Sequence, residues 1–258
     1  MIKIKAATYN IHRCIGTDGK MDMGRIVAVL KEIDADLVGI QEIDSHHIDE
    51  GGHQLNYLAK HTGYHVAAGP TLWRSDGEYG NAFLSRFPIK VLRRMDLSSA
   101  RREPRGALDV DLDIQGIHCR VITTHLGLKW RERKFQLGKI FEGVTVSSRH
   151  PLIIMGDMNE WLPFMGATRI FRSQFGFVPR ILSYPSFFPV FPLDQIYICP
   201  SSYLVSAGVH VSKLSRVASD HLPVAAEIRL PLLLAKPEPI EYGDAPRSGA
   251  KPSAPIPR

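Results

Sequence analysis

The hydrophobic positions of this chain change their period repeatedly from one end to the other. Ile2-Lys-Ile-Lys-Ala-Ala-Thr-Tyr9 alternates apolar and polar residues, the two-residue repeat of a strand. After Asp22 the repeat becomes helical. Met23, Ile26, Val27 and Leu30 fall at i, i+3, i+4 and i+7, and Asp22 stands where a helix cap belongs. Leu37-Val-Gly-Ile-Gln41 then reads as a short buried strand, and a second helix spans His53 to Thr62 and stops at Gly63. Strands are predicted at Asn81–Leu84, Ile89–Arg93, Ala107–Ile114 and Ile117–Thr124, with Gln115-Gly116 as a hairpin turn between the last two. A long helix between Lys129 and Ser147 places Leu137, Ile140, Phe141 and Val144 on one face. Pro151–Met155 is a buried strand, and Leu193–Ile198, Tyr203–Val211 and Leu222–Leu230 complete the β content.

Strands and helices interleaved in this way, with several hairpins, predict an α/β sandwich of mixed sheets covered by helices. One domain over residues 1–234 is expected. Residues 235–258 are proline-rich and without apolar periodicity, so they read as a flexible tail.

Composition narrows the class. Of 258 residues 44% are hydrophobic and 22% charged, which excludes a disordered chain, a coiled coil and a collagen-like repeat. No stretch approaches the roughly 18 apolar residues of a membrane helix. The net charge of +6 favours an anionic partner only weakly. Cys14, Cys119 and Cys199 form no CxxC pair and read as reduced thiols. The first residues alternate where a signal peptide is continuously apolar. A cytoplasmic monomer is the expectation.

The informative events are the polar residues at the ends of apolar strands. They are Thr8-Tyr-Asn10-Ile-His12, Gln41-Glu42, Thr123-Thr124-His125, Gly156-Asp157-Met-Asn159, Leu193-Asp194 and Ser219-Asp220-His221. Each alone has an ordinary explanation as a turn residue, a cap or a satisfied core histidine. Six together, each behind a strand, are hard to obtain from turn chemistry. Asn10, Glu42 and Asp220 are oxygen ligands suited to Mg²⁺ or Mn²⁺. His125 and His221 can donate to a phosphoryl group or handle protons, and Asp194 can fix a histidine tautomer. Asp157 can orient or deprotonate a water, and Asn159 supplies an amide. These residue types compose a metal-assisted phosphoester hydrolase. There is no GxSxG and no covalent nucleophile is set up.

With Tyr79-Gly-Asn81-Ala-Phe-Leu-Ser-Arg86-Phe-Pro and Ser219-Asp220-His221-Leu-Pro223 added, the ordered set resembles the endonuclease/exonuclease/phosphatase superfamily, with its pancreatic-deoxyribonuclease-like fold. The likeness runs from about residue 4 to 230. It implies a four-layer α/β sandwich, two facing mixed β-sheets flanked by helices, with the site at one edge. It implies Glu42 as principal Mg²⁺ ligand with Asn10 and Asp220 nearby, and Asp157 orienting the attacking water. Asn159 would hold the phosphate, and His221 would pair with Asp194 and touch the scissile phosphate. His125 would give a second phosphate or proton contact. Asn81 and Tyr79 would line the cleft, and Arg105 would contact phosphate or form a structural salt bridge. Arg131, Glu132, Arg133 and Gln136 open the helix after His125, also as in the family, or else form a solvated face. His12 stands where apurinic-site endonucleases of the superfamily carry an acidic residue. The block from Tyr79 to Pro88 looks closer to the superfamily's small bacterial metal-dependent hydrolases and to sphingomyelinase-like or lipid-linked members.

The expected activity is a Mg²⁺-dependent phosphoesterase, a phosphodiesterase above all, acting on nucleic acid or a phospholipid headgroup. A non-catalytic module that binds anionic ligands is the alternative. A zinc hydrolase built on His46, His47 and His53 lacks any HExxH frame. Arg93, Arg94, Arg101, Arg102 and Arg105 could form a basic rim. Tyr184-Pro-Ser-Phe-Phe-Pro-Val-Phe-Pro192 is expected to cover the core with its aromatics buried. Exposure of two or more of Phe187, Phe188 and Phe191 beside the cleft would favour a base or a peripheral membrane contact.

Overall fold

The computed structural model describes residues 1–46, 53–75, 77–144, 150–161, 167–176 and 179–231. The tail assigned to residues 235–258 lies outside them.

Two mixed sheets form the centre. The strands are β1 (Ile2–Asn10), β2 (Leu37–His46), β3 (His65–Arg74), β4 (Gly77–Ser85), β5 (Ile89–Asp96), β6 (Gly106–Ile114), β7 (Ile117–His125), β8 (Leu152–Asp157), β9 (Asp194–Cys199), β10 (Leu204–Val209) and β11 (Val224–Leu230). The six-stranded sheet has the order β10-β11-β1-β2-β4-β3, and the five-stranded sheet β5-β6-β7-β8-β9. Each sheet holds one parallel pair, β1 with β2 and β7 with β8, and every other pairing is antiparallel. The helices are α1 (Met23–Ile33), α2 (Gln54–Thr62), α3 (Trp130–Glu142), α4 (Ala167–Phe175) and the short α5 (Ser215–Ala218).

Three apolar cores bind four layers. Between the sheets, Ile4, Leu37 and Phe83 meet Leu108, Val121, Ile153 and Met155. On the outer face of the first sheet, Ile26, Leu30, Ile33 and Leu58 from α1 and α2 cover Tyr9, Val38 and Ile40. On the outer face of the second, Leu137, Ile140, Phe171 and Phe175 from α3 and α4 cover Ile122, Ile154 and Tyr197. A central strand covered on both faces reads as a continuous apolar run. Leu152–Asp157 is buried at every position.

Local signals operate as the sequence indicates. The Asp22 side chain accepts from the Arg25 amide at 3.1 Å and starts α1. Gly63 takes a left-handed φ of 73° and ends α2. Gln115 and Gly116 both have positive φ, 54° and 85°, the requirement of a type I′ hairpin. Cys14 and Cys119 are buried free thiols. Three elements escape the sequence pattern, β3, α4 and the four-residue α5. In β3 a Gly69-Pro70 break interrupts the alternation, which is tolerated because β3 is an edge strand. In α4 Ile170, Phe171 and Phe175 form one apolar face against the second sheet, a segment the sequence reading leaves unassigned.

The sheets approach closely at Gly39. A Cβ there would lie 2.3 Å from Thr123 Oγ1 and 3.3 Å from Met155 Cγ, both on the opposite sheet. Thr123 cannot withdraw freely, because its hydroxyl accepts from Gln41 Nε2 at 3.2 Å. A Gly39→Val substitution should therefore lower the free energy of unfolding by about 1–3 kcal/mol in urea titrations. Unchanged stability would show that the sheets are not clamped at this point.

Candidate active site

The strand ends that carry polar residues converge at one edge of the sandwich. β1 ends at Asn10, paired in register to Gln41, and β2 runs on past it to His46. On the second sheet His125 is the register partner of Asp157, and Asp157 that of Asp194. Parallel pairing of β7 with β8 and antiparallel pairing of β8 with β9 thus set three functional side chains in a row.

Backbone irregularities aim the groups. The β2–β4 register shifts between Ile40 and Ile43, a bulge that contains Glu42. Glu42 has a φ of +57°, and Asn159 +48°. Non-glycine residues in the left-handed region are uncommon and concentrate where a fold fixes a side chain for function. Gly156 is needed for close approach. Its φ is +153°, and a Cβ would lie 1.9 Å from the Thr124 carbonyl oxygen.

Asn10 joins the two sheets. Its Nδ2 donates to Glu42 Oε1 at 2.9 Å and to Asp157 Oδ2 at 3.1 Å, and its Oδ1 accepts from the His12 amide at 3.0 Å. Asn10 therefore faces the carboxylates with its nitrogen and holds them, while its oxygen serves the His12 backbone. Asp157 Oδ1 accepts from the Asn159 amide at 2.9 Å, and Asn159 Nδ2 donates to the Leu126 carbonyl at 2.9 Å. Beneath the site Thr8 donates to Gln41, and Gln41 to Thr123, a buried polar chain across the sheets.

The two histidines are set differently. Asp194 Oδ2 lies 2.7 Å from His221 Nδ1 and accepts from Ser183 Oγ at 2.6 Å. Burial opposes the charged form of His221, but Asp194, Asp157 and Asp220 outweigh it and raise its pKa to about 10. His125 behaves in the opposite sense. Burial, Arg105 and His221 push its pKa well below the usual value. An Arg105 guanidinium nitrogen lies 3.1 Å from His125 Nδ1. A guanidinium only donates, so Nδ1 is the acceptor and Nε2 carries the proton of a neutral ring. That Nε2 lies 3.5 Å from Asp157 Oδ2, and His221 Nε2 lies 3.8 Å from the same oxygen. Burial, reinforced by Asp194, raises the Asp157 carboxyl to about 7.

The remaining site candidates take varied places. Asp220 is half-exposed, and its Oδ1 lies 3.8 Å from His12 Nδ1. Ser219 Oγ donates to the Asn10 carbonyl at 2.8 Å and ties the Asp220-His221 segment to β1. Tyr79 has its hydroxyl pKa raised by burial, with Glu42 and Glu103 adding to the effect. Asn81 is buried and spends an amide hydrogen on the Gly106 carbonyl at 3.0 Å. Arg105 is engaged both ways, with His125 and with Glu103 at 3.1 Å. His46 and His47 carry no described side chain, and His53 accepts from the Asn56 amide as a helix cap.

Two expectations are corrected. Phe187 and Phe188 are 69% and 68% exposed, so the 184–192 loop does not bury its aromatics. Its backbone is anchored, with the Ser186 amide donating to the Asp220 carbonyl at 2.7 Å and Arg216 to the Phe187 carbonyl at 2.8 Å. Tyr184 packs against His221 at a ring separation of 4.8 Å and Phe191 against Trp161 at 5.0 Å. Glu132, Arg133 and Gln136 are buried, not solvated. Arg133 donates to the Leu128 carbonyl at 2.8 Å and to Glu160 at 3.1 Å, and Gln136 accepts from the Gly127 amide at 2.8 Å. They brace the loop that follows His125 against the one that follows Asp157. Arg131 alone of the set is exposed.

Ser183 and Tyr184 are site neighbours that no motif reveals. Ser183 sits in an unremarkable Leu-Ser-Tyr-Pro stretch, and only the antiparallel bridge of Tyr184 to Phe191 brings it to Asp194.

Asp157, Asp194 and His221 have ligand-type atoms within 4.8 Å of one another. Asp194 is fully buried with Oδ2 already shared, and His221 holds a proton, so Asp194 and His221 form a hydrogen-bonded pair, with Asp157 Oδ2 3.8 Å from His221 Nε2. The half-exposed oxygens of Glu42 and Asp220 beside it are the ones open to a hard cation.

The same arrangement of strands recurs in solved structures. An endonuclease/exonuclease/phosphatase from Beutenbergia cavernae aligns with a TM-score of 0.69 and 23% identity, over 89% of this chain and 72% of that one. The mannosyl-6-phosphatase Bt3783 of Bacteroides thetaiotaomicron aligns with a TM-score of 0.69 and 19% identity, over 88% of this chain and 100% of the other. At these identities the likeness concerns the fold. In sequence, the uncharacterized protein YbhP of Escherichia coli is 28% identical over 248 residues, 88% of this chain and 96% of YbhP. The profile of the Endonuclease/Exonuclease/phosphatase family matches residues 7–221, from the strand that carries Asn10 to His221. Fold, order of motifs and profile agree: the chain belongs to the endonuclease/exonuclease/phosphatase family, whose members act on phosphoesters.

Proposed function

We propose that the protein is a Mg²⁺- or Mn²⁺-dependent phosphodiesterase that hydrolyses a P–O bond by in-line attack of water. The observation that carries this reading is the Asn10 amide lying 2.9 Å from Glu42 and 3.1 Å from Asp157. It gathers carboxylates of both sheets beside two histidines of unlike protonation.

The donors present fit a hard cation. Glu42 would hold it, with Asp220 and Asn10 beside it, and the nearby Cys14 thiol is removed from competition because burial pushes its pKa up to about 12. Such an ion, when bound, neutralises the charge that develops on the phosphoryl oxygens. Asp157 orients the attacking water and accepts its proton, and a carboxyl raised to about 7 is a competent base near neutrality. His221, an imidazolium oriented by Asp194, donates Nε2–H to a phosphoryl oxygen. His125 donates from Nε2 as a neutral ring. Asn159 keeps one amide hydrogen for phosphate after bonding Leu126. Arg105, beside His125, and Tyr79 and Asn81, in a recess lined also by Ile43, would contact the substrate. The phosphoester comes from nucleic acid or from a phospholipid headgroup.

Hydrolysis of bis-p-nitrophenyl phosphate with Mg²⁺ or Mn²⁺ tests the reading. Glu42→Gln, Asp157→Asn and His221→Ala should each lower kcat by at least about 10²-fold with a native circular dichroism spectrum. Excess EDTA should abolish turnover. Equal rates with and without chelator would remove the metal mechanism, and normal kinetics in Asp157→Asn would remove the assigned base.

The protonation states yield a second test. An unfolded imidazole releases its proton near pH 6.5, whereas folded His221 holds it to about pH 10. The stability this group contributes is therefore fully present below about pH 6.5 and is lost as pH rises to about 10. Thermal melts in chelator should fall over that window, and Asp194→Asn should flatten the decline. A decline of equal slope in the variant would contradict the His221–Asp194 assignment.

A further inference from the structure

A groove leaves the site on the side of Arg105. Its near part, about 220 Å³, is bordered by Arg101, Arg102, Arg105, Gly127 and Lys129. Its far part, about 440 Å³, is bordered by Arg102, Lys129, Trp130, Arg131 and Phe135. The two parts share Arg102, Lys129 and Glu132, so they form one channel between the 99–105 loop and the start of α3. Its inner end is Arg105, whose guanidinium touches His125 at 3.1 Å.

The lining has two chemistries in alternation. Arg101, Arg102, Arg105, Lys129 and Arg131 face only Glu103 and Glu132. Glu103 is already paired with Arg105, and Glu132 is buried, so the net character is cationic. Between the cations stand aromatic surfaces. Trp130 is 54% exposed and Phe135 47%, and each carries a cation over its ring, Arg131 at 5.8 Å and Lys139 at 4.9 Å. A protein core gains nothing by leaving two aromatic rings in water. They are of use to a ligand that brings flat apolar faces along with negative charge.

We infer that this groove is a subsite for single-stranded nucleic acid, holding phosphates and unpaired bases that flank the bond at the catalytic centre. A chain of phosphates meets the row of Arg and Lys, and unpaired bases find Trp130 and Phe135 as stacking faces. A duplex keeps its base faces stacked internally and offers them to neither ring. A lipid surface needs a protruding apolar tip, whereas these rings line a recess between arginines. The inference rests on the phosphodiesterase reading for the position of the scissile bond. Binding in the groove needs no catalysis.

The test is fluorescence anisotropy of a 5′-fluorescein-labelled eight-nucleotide oligo-dT, in EDTA, across a salt series, with Mg²⁺-dependent turnover of bis-p-nitrophenyl phosphate measured alongside. Arg102→Ala with Lys129→Ala should weaken binding at least tenfold at low salt. It should also reduce the slope of log Kd against log salt by about 1.4, two phosphate contacts at about 0.7 each. Trp130→Ala should weaken binding by about tenfold and leave that slope unchanged. Turnover of the small diester should stay within twofold in both variants, since neither touches the catalytic groups. Oligonucleotide affinity unaltered by these substitutions would overturn the inference. So would equal competition by a duplex of the same length, or capture by phosphatidylserine vesicles without oligonucleotide binding. A protein inactive on every diester, yet with oligonucleotide binding that collapses in the double variant, would refute the hydrolase reading and leave the subsite standing.

Discussion

The structure depends on one side chain that holds two like charges together. Asn10 donates both amide hydrogens, one to Glu42 on its own sheet and one to Asp157 on the other. Carboxylates buried side by side repel each other and lose hydration, and each must be compensated locally. Asn10 supplies the first compensation without adding a charge. The position of Asn10 is fixed in turn by Ser219 bonding its carbonyl and by His12 bonding its side-chain oxygen. The catalytic edge is therefore as well ordered as the packing of the two sheets behind it. Gly39 and the Thr8–Gln41–Thr123 chain are the near-site part of that packing.

The second compensation is the His221 imidazolium. Asp194 is fully buried and shares one oxygen between Ser183 and His221, while its Oδ1 has no hydrogen-bond partner among the described residues. A buried carboxylate so placed stabilises the charged ring strongly and leaves His221 a donor over the working pH range. His125, beside Arg105, is kept neutral by the same principle with the opposite sign. Two identical side chains, each within 4 Å of one Asp157 oxygen, thus become different reagents. The buried Arg133–Glu160 pair stiffens the loops behind them. Breaking such a pair costs about 3–5 kcal/mol, so this brace holds the geometry firmly.

Much of this was legible in the residues. The α/β sandwich follows from apolar periods that change between two and three-to-four, its four layers from the family resemblance that the ordered motifs carry, and the site from polar residues beside strands. Asn10, His125 and Asp157 end strands as the sequence indicates, whereas Glu42 sits in a bulge inside β2, Asp194 opens β9 and His221 precedes β11. Parallel pairing of β1 with β2 and β7 with β8 and antiparallel pairing of β8 with β9 gather them. What escaped depends on distance in sequence. Ser183 reaches Asp194 across a loop, and the Arg105–His125 contact spans a hairpin. A residue pattern does not report which tautomer a histidine adopts or that Arg133 is buried. The 184–192 loop shows the opposite error. Its aromatic content suggests burial, but the backbone is tied down through Ser186 and Arg216 while the Phe187 and Phe188 rings stand in solvent. β3 was obscured because an edge strand tolerates the Gly69-Pro70 interruption that a central strand would not.

The account's central claim is that Glu42, with Asn10 and Asp220 beside it, holds a divalent cation next to Asp157 of the other sheet. Anomalous diffraction from crystals soaked in Mn²⁺ tests it most directly. The account predicts a manganese peak at the Glu42 carboxylate, on the side facing Asp157, that disappears in Glu42→Gln crystals soaked identically. A peak elsewhere on the molecule, or one that survives unchanged in the Glu42→Gln protein, would contradict it.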